Sequence, residues 1–67
     1  MRTIGQILKE ARNKKSLRIE DVSNITKIKS NFILAIENEK WDNLPEYGVV
    51  SGFVKSFADA VGVPPAS

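Results

Sequence analysis

The sequence contains neither cysteine nor histidine. The first absence removes disulfide cross-links and thiolate metal sites; the second removes the commonest metal ligand and the commonest general base. Chemistry is therefore poorly provisioned, and neither enzymatic activity nor a cofactor is expected. There is also no apolar run near the length of about 18 residues that spans a bilayer. The N-terminus lacks the basic-then-apolar order of a signal peptide. These features fit a soluble, cytoplasmic domain. Aromatic residues are few, at 7% of the chain with a single tryptophan, so each one present is a candidate anchor.

A chain of 67 residues has room for one core, and at this size the economical solution is a set of helices with local contacts. The hydrophobic share of 42% and the charged share of 27% are ordinary for a globule and argue against disorder. The net charge of +2 is small, but it is unevenly placed. Residues 1–40 carry nine of the ten basic side chains against five acidic ones, whereas residues 41–67 carry one against three. The front half is the part suited to phosphate, although a solvated helical surface accounts for the same charges.

Ile4, Ile7, Leu8 and Ala11 recur at the spacing of one helical face, and Thr3 with Gln6 three residues on forms a capping box, so a first helix is expected over residues 3–14. Leu17, Ile19, Val22 and Ile25 reopen the apolar series in a short second helix closed by Thr26 and Lys27. Its β-branched residues lower helix propensity, so packing must hold it. A third helix is expected over residues 30–38, led in by Ile28, with Phe32, Ile33 and Ile36 as apolar positions. Two short helices joined by about four residues must cross steeply, which is the geometry of a helix-turn-helix spanning residues 17–39.

Trp41-Asp42-Asn43-Leu44-Pro45 reads as a connector whose Trp41 and Leu44 tuck beneath the domain as core plugs. The last helix is expected over residues 48–61, ended by Gly62 and Pro64-Pro65. At about 100° per residue, Val50, Val54, Phe57 and Val61 share one stripe, and Val49, Phe53, Ser56 and Ala60 share a second about 100° away. One stripe enters the core and the other is left over, either to pack on the first helix or Trp41 or to meet a partner. The fold class is thus all-α, a compact bundle of about five short helices containing a helix-turn-helix. Residues 1–63 form the domain and residues 64–67 begin a linker.

The segment 4–37 resembles the Xre/Cro-type, lambda-repressor-like helix-turn-helix. Its continuation through Trp41-Asp42-Asn43-Leu44-Pro45 and Tyr47-Gly48-Val49-Val50-Ser51-Gly52-Phe53-Val54-Lys55-Ser56-Phe57-Ala58 resembles more narrowly the N-terminal cytoplasmic domain of the RodZ family. The resemblance implies a five-helix bundle in the cytoplasm, carried by a single-pass inner-membrane protein whose transmembrane segment lies downstream of this chain. It implies a cell-shape adaptor that binds the bacterial actin homologue MreB through the last helix, with Phe53 as aromatic contact and Val49 one turn earlier; Ser56 and Lys55 complete the candidate set. Val49 stands where the family often has an aromatic residue, and Ser51 where an arginine is frequent.

The alternative is a sequence-specific DNA-binding regulator. In DNA-reading relatives the start of the third helix enters the major groove, which singles out Lys27, Lys29, Ser30 and Asn31 as candidate DNA contacts, with Arg12, Lys14 and Lys15 on phosphates. Asn31 has the donor and acceptor set that pairs with adenine. Against this, Leu34 and Ala35, the next positions expected to be exposed, offer only methyl groups. Ile19 occupies a position where such relatives often place a glutamine, and it is followed by the carboxylates of Glu20 and Asp21, which face a polyanion poorly. Glu37 matches an acidic position whose role in the Xre pattern is structural, through capping or a partner such as Arg12; a metal site would need further ligands.

Overall fold

The computed structural model describes residues 2–64. Among these, four α-helices and a single 3-10 turn account for the regular structure, with no strand: α1 (Ile4–Lys14), α2 (Ile19–Thr26), α3 (Ser30–Asn38), the 3-10 turn (Trp41–Asn43) and α4 (Tyr47–Val61). Counting the 3-10 turn as a helix gives the expected five; as α-helices there are four. Of the expected linker 64–67, Pro64 follows α4 as exposed irregular chain and residues 65–67 lie outside the described residues.

Each helix begins or ends for a local reason. Thr3 Oγ1 accepts from the Gln6 amide at 3.3 Å while Gln6 Oε1 accepts from the Thr3 amide at 3.1 Å, a complete capping box. Asp21 reaches back to accept from the Arg18 amide at 2.8 Å, at the start of α2. Gly62, with φ of 79°, closes α4, and the Val63 amide returns to the Ala58 carbonyl at 2.9 Å. The other three ends place Ser16, Lys27 and Glu39 at φ of 57°, 64° and 58°. The left-handed conformation is strained for residues with a Cβ, so tertiary packing fixes these turns.

α1 and α2 each pack on both α3 and α4. The fully buried side chains are Leu8, Val22, Ile33, Ile36 and Phe57, joined by Ile28 and Val61. Each helix therefore sends a side chain to the centre, and α3 sends two, Ile33 and Ile36. α2, weak in propensity, is held by Val22 and by side-chain bonds at its end: Thr26 donates to the Val22 carbonyl at 2.7 Å and accepts from the Ile28 amide at 3.2 Å, and Ser23 donates to the Ile28 carbonyl. These bonds close the turn of the helix-turn-helix.

Several positions differ from the expectation. Ile4, Ile7 and Ile25 lie at the surface, at 40%, 37% and 57% exposure. A bundle this small buries a narrow stripe of each helix, and α1 spends its buried stripe on Gly5 and Leu8. Gly5 is required there: a Cβ would lie 2.5 Å from the Glu37 carbonyl oxygen and 2.6 Å from that of Ile36, so α1 and α3 touch backbone to backbone.

Candidate functional site

Arg12 was a candidate phosphate contact, and the fold withdraws it. Its guanidinium donates to both carboxylate oxygens of Glu37, at 2.6 Å and 3.1 Å, and to the Leu17 carbonyl at 2.8 Å. The two side chains are 12% and 3% exposed. This bidentate pair ties α1 to α3 and to the start of the helix-turn-helix, as a planar guanidinium suits. Glu37 thus has the structural role expected of it. Glu39, at the other end of the same turn, accepts from the Gly5 amide at 3.2 Å and so covers the N-terminus of α1.

Lys27, Lys29 and Asn31 are exposed together at the start of α3, and Ser30 is half-buried beside them. Leu34 follows on the same helix at 46% exposure, whereas Ala35 is buried at 6%. Ala35 is therefore a core position and offers nucleic acid nothing. Ile19, expected as an apolar surface, is half-buried against the core, leaving Glu20 as the exposed side chain at the start of α2. Lys14 and Lys15 border the cleft lined by Arg2, Ile7, Val61 and Pro64, at the end of α4.

On α4, Phe57 and Val61 face the core and leave two apolar flanks. On one, Val49 is 41% exposed, and Phe53 is half-buried with its ring centroid 5.6 Å from that of Phe32 on α3. Stacking of that kind fixes a ring and leaves an edge available. Ser56 and Ala60 continue this flank and, with Ile25 and Thr26, line a shallow cleft. Lys55 does not join them: two residues from Phe53, it stands about 160° away around the helix, exposed on the solvent face.

The other flank was not foreseen. Trp41, Pro45, Tyr47, Val50, Ser51 and Val54 line a groove of about 560 Å³. Trp41 is 43% exposed and so is a wall of this groove rather than a core plug. Leu44, half-buried against the core, does take that role. Val50 and Val54, assigned to the core stripe by periodicity, are half-buried at its edge. Tyr47 projects almost wholly into solvent at 86% exposure. The signal was present as an uncharged run from Tyr47 to Val54, separated from the exposed Pro45 by Glu46 alone.

A family model described as a helix-turn-helix domain matches residues 7–67. The chain belongs to the helix-turn-helix domain family. No curated protein and no solved structure matches it. Helix-turn-helix domains are built to present surfaces to nucleic acid or to protein, and which surface is used has to be argued from side chains. In this domain Lys27 and Lys29 ahead of α3 and Asn31 on it are exposed polar side chains, followed by Leu34, while α4 carries two apolar flanks.

Proposed function

We propose that this helix-turn-helix domain is a non-enzymatic protein-interaction module, the cytoplasmic adaptor domain of a RodZ-like cell-shape protein that binds the actin homologue MreB through α4. The observation that carries the reading is the flank of Val49 and Phe53. An exposed valine stands one turn from an aromatic ring that Phe32 holds in place. A preorganised aromatic on a rigid helix loses little freedom on docking, the condition under which a single side chain anchors an interface. The recognition helix supports the same reading by what it lacks, since Leu34 and the buried Ala35 withdraw two of its positions from base readout. In this reading the domain reaches a membrane through a transmembrane segment beyond Ser67.

Co-sedimentation with MreB filaments tests it. Phe53→Ala is expected to weaken pelleting by about tenfold or more, the cost of a hot-spot aromatic. Because Phe53 also touches the core, Val49→Glu serves as the cleaner variant: it alters an exposed position and is expected to weaken pelleting with an unchanged helical circular dichroism spectrum. Unaltered pelleting by both variants rejects the reading.

A second reading rests on Lys27, Lys29 and Asn31, exposed together where α3 begins. It makes the domain a DNA-binding regulator in which these residues and Ser30 contact a duplex. It requires affinity that falls steeply with salt and a preference for one sequence over random DNA; a titration showing no preference rejects it.

A further inference from the structure

Lys27 and Lys29 stand where a helix-turn-helix meets DNA, yet the fold ties them to α4. Thr26, the last residue of α2, lines a cleft with Ile25, Ser56, Asp59 and Ala60. Phe32, in the first turn of α3, holds its ring 5.6 Å from that of Phe53, and its amide donates to the Lys29 carbonyl at 2.9 Å. The turn 27–29 is therefore fastened at both ends to the same flank of α4. Lys27 directly follows one of these contacts, and Lys29 stands one helical turn before the other.

We infer that Lys27 and Lys29 belong to the protein-docking surface of α4 and pair with carboxylates that edge the apolar contact of the partner, a step that rests on the protein-interaction reading above and carries its site from α4 onto α2 and the turn.

Ile25 decides between protein and nucleic acid at this turn. It is 57% exposed, lies two residues before Lys27 and lines the cleft that continues the Phe53 flank. Apolar surface gains free energy when other apolar surface covers it, and it gains nothing from phosphate. A duplex drawn to the two lysines leaves Ile25 in water or against a polyanion. A protein with an apolar patch and neighbouring carboxylates covers both kinds of group at once.

The lysines are free to take that role. Ile28 between them is buried at 5% exposure, so Lys27 and Lys29 stand out from the core on either side of it, both exposed. Among the described residues the basic partners in ion pairs are Arg2, Arg12 and Arg18. An apolar centre with cations at its edge is a common layout for a protein interface: the centre supplies affinity, and the rim charges steer approach and fix orientation. The other charges along the flank set that orientation. Asp59 stands in the cleft and Glu46 precedes α4, both exposed, so the carboxylates of the partner face the turn and avoid the two ends of α4.

Co-sedimentation with MreB filaments at several salt concentrations tests the assignment. Lys27→Glu combined with Lys29→Glu is expected to weaken pelleting about tenfold at low salt, and the gap to wild type should close by about 0.5 M salt, as for charges at the rim of an interface. Ile25→Ser, at a largely exposed side chain, is expected to weaken pelleting several-fold at every salt concentration. Lys27→Gly separates binding from folding. Lys27 has φ of 64°, a conformation that glycine adopts freely, so the thermal midpoint should hold or rise while pelleting falls. Full pelleting by the double lysine variant, or by Ile25→Ser, overturns the proposal. Where the double variant pellets fully and loses affinity for random duplex DNA, the turn belongs to nucleic acid. Pelleting weakened by Val49→Glu but not by the lysine variants leaves the reading of α4 standing and overturns only its extension; indifference to Val49→Glu and Phe53→Ala rejects both.

Discussion

The domain divides into a front half whose buried ion pair and side-chain caps hold the elements together and a last helix that carries two apolar flanks. In residues 2–39, Arg12, Glu37 and Glu39 are engaged in bonds between elements, and Thr3, Gln6, Asp21, Ser23 and Thr26 close helix ends. From Trp41 to Val54, by contrast, Trp41, Tyr47 and Val49 are exposed around one helix, whereas the exposed apolar residues of the front half, Ile4, Ile7, Ile25 and Leu34, are spread over three. A polar side chain bonded to its own backbone has no capacity left for a ligand, whereas an apolar side chain left in water gains free energy by being covered. The side chains that hold the helix-turn-helix together are thus separate from Lys27, Lys29 and Asn31, which stay exposed, and from the apolar flanks of α4.

The deepest test of that division is Glu37→Ala. It leaves the Arg12 guanidinium buried without its carboxylate, and removing one partner of a buried pair costs about 3–5 kcal/mol. The urea midpoint is expected to fall far enough to threaten the fold, since domains of this kind have only about 5–10 kcal/mol in total. A cost no larger than that of an ordinary surface substitution would show that the front half is not organised around this pair.

A smaller effect, of opposite sign in the two regions, comes from glycine. Gly5→Ala places a Cβ 2.5 Å from a carbonyl oxygen of Glu37, and separating α1 from α3 to admit it is expected to cost about 1–3 kcal/mol. Gly52→Ala on α4 meets nothing within 4 Å and should raise stability by about 0.5–1 kcal/mol through helix propensity alone. Thermal unfolding of the two variants gives both signs; a stabilising Gly5→Ala would mean that the close approach is not needed.

How much of this was legible in the sequence depends on the type of signal. The capping box, the third helix and the glycine that ends α4 were readable because each has a local chemical signature. The central side chains Leu8, Val22, Ile33, Ile36 and Phe57 were readable from periodicity. The ends before Ser16, Lys27 and Glu39 carry no glycine, yet apolar spacing and the polar breaks after it placed them at Lys14, Thr26 and Asn38, where the helices do end. The burial of Ala35 and the exposure of Ile4 and Ile7 were not readable, because they depend on how the helices of so small a bundle pack on one another, which no local signal carries. The groove on α4 was missed for a related reason: periodicity places Val50 and Val54 on the core stripe, and only the position of the 3-10 turn shows that Trp41 stops short of covering them.

The smallest expected effect bears on how far α3 is from a DNA-binding surface. No hydrogen-bond donor stands at the exposed position after Asn31, and Leu34→Arg supplies one where the side chain is already 46% exposed. Stability should change by no more than about 0.5 kcal/mol, as for other surface substitutions. Fluorescence anisotropy with random duplex DNA at low salt should show several-fold tighter binding, and the slope of log K against log salt should steepen by about one, the signature of one added phosphate contact. Lys27, Lys29 and Asn31 would then be acting beside the new arginine, and the front half would differ from a DNA-binding surface by a side chain rather than by its shape. An unchanged affinity and slope would mean that α3 cannot enter a groove at all, because Glu20 and the neighbouring elements hold it back, and the contrast with α4 would rest on shape after all.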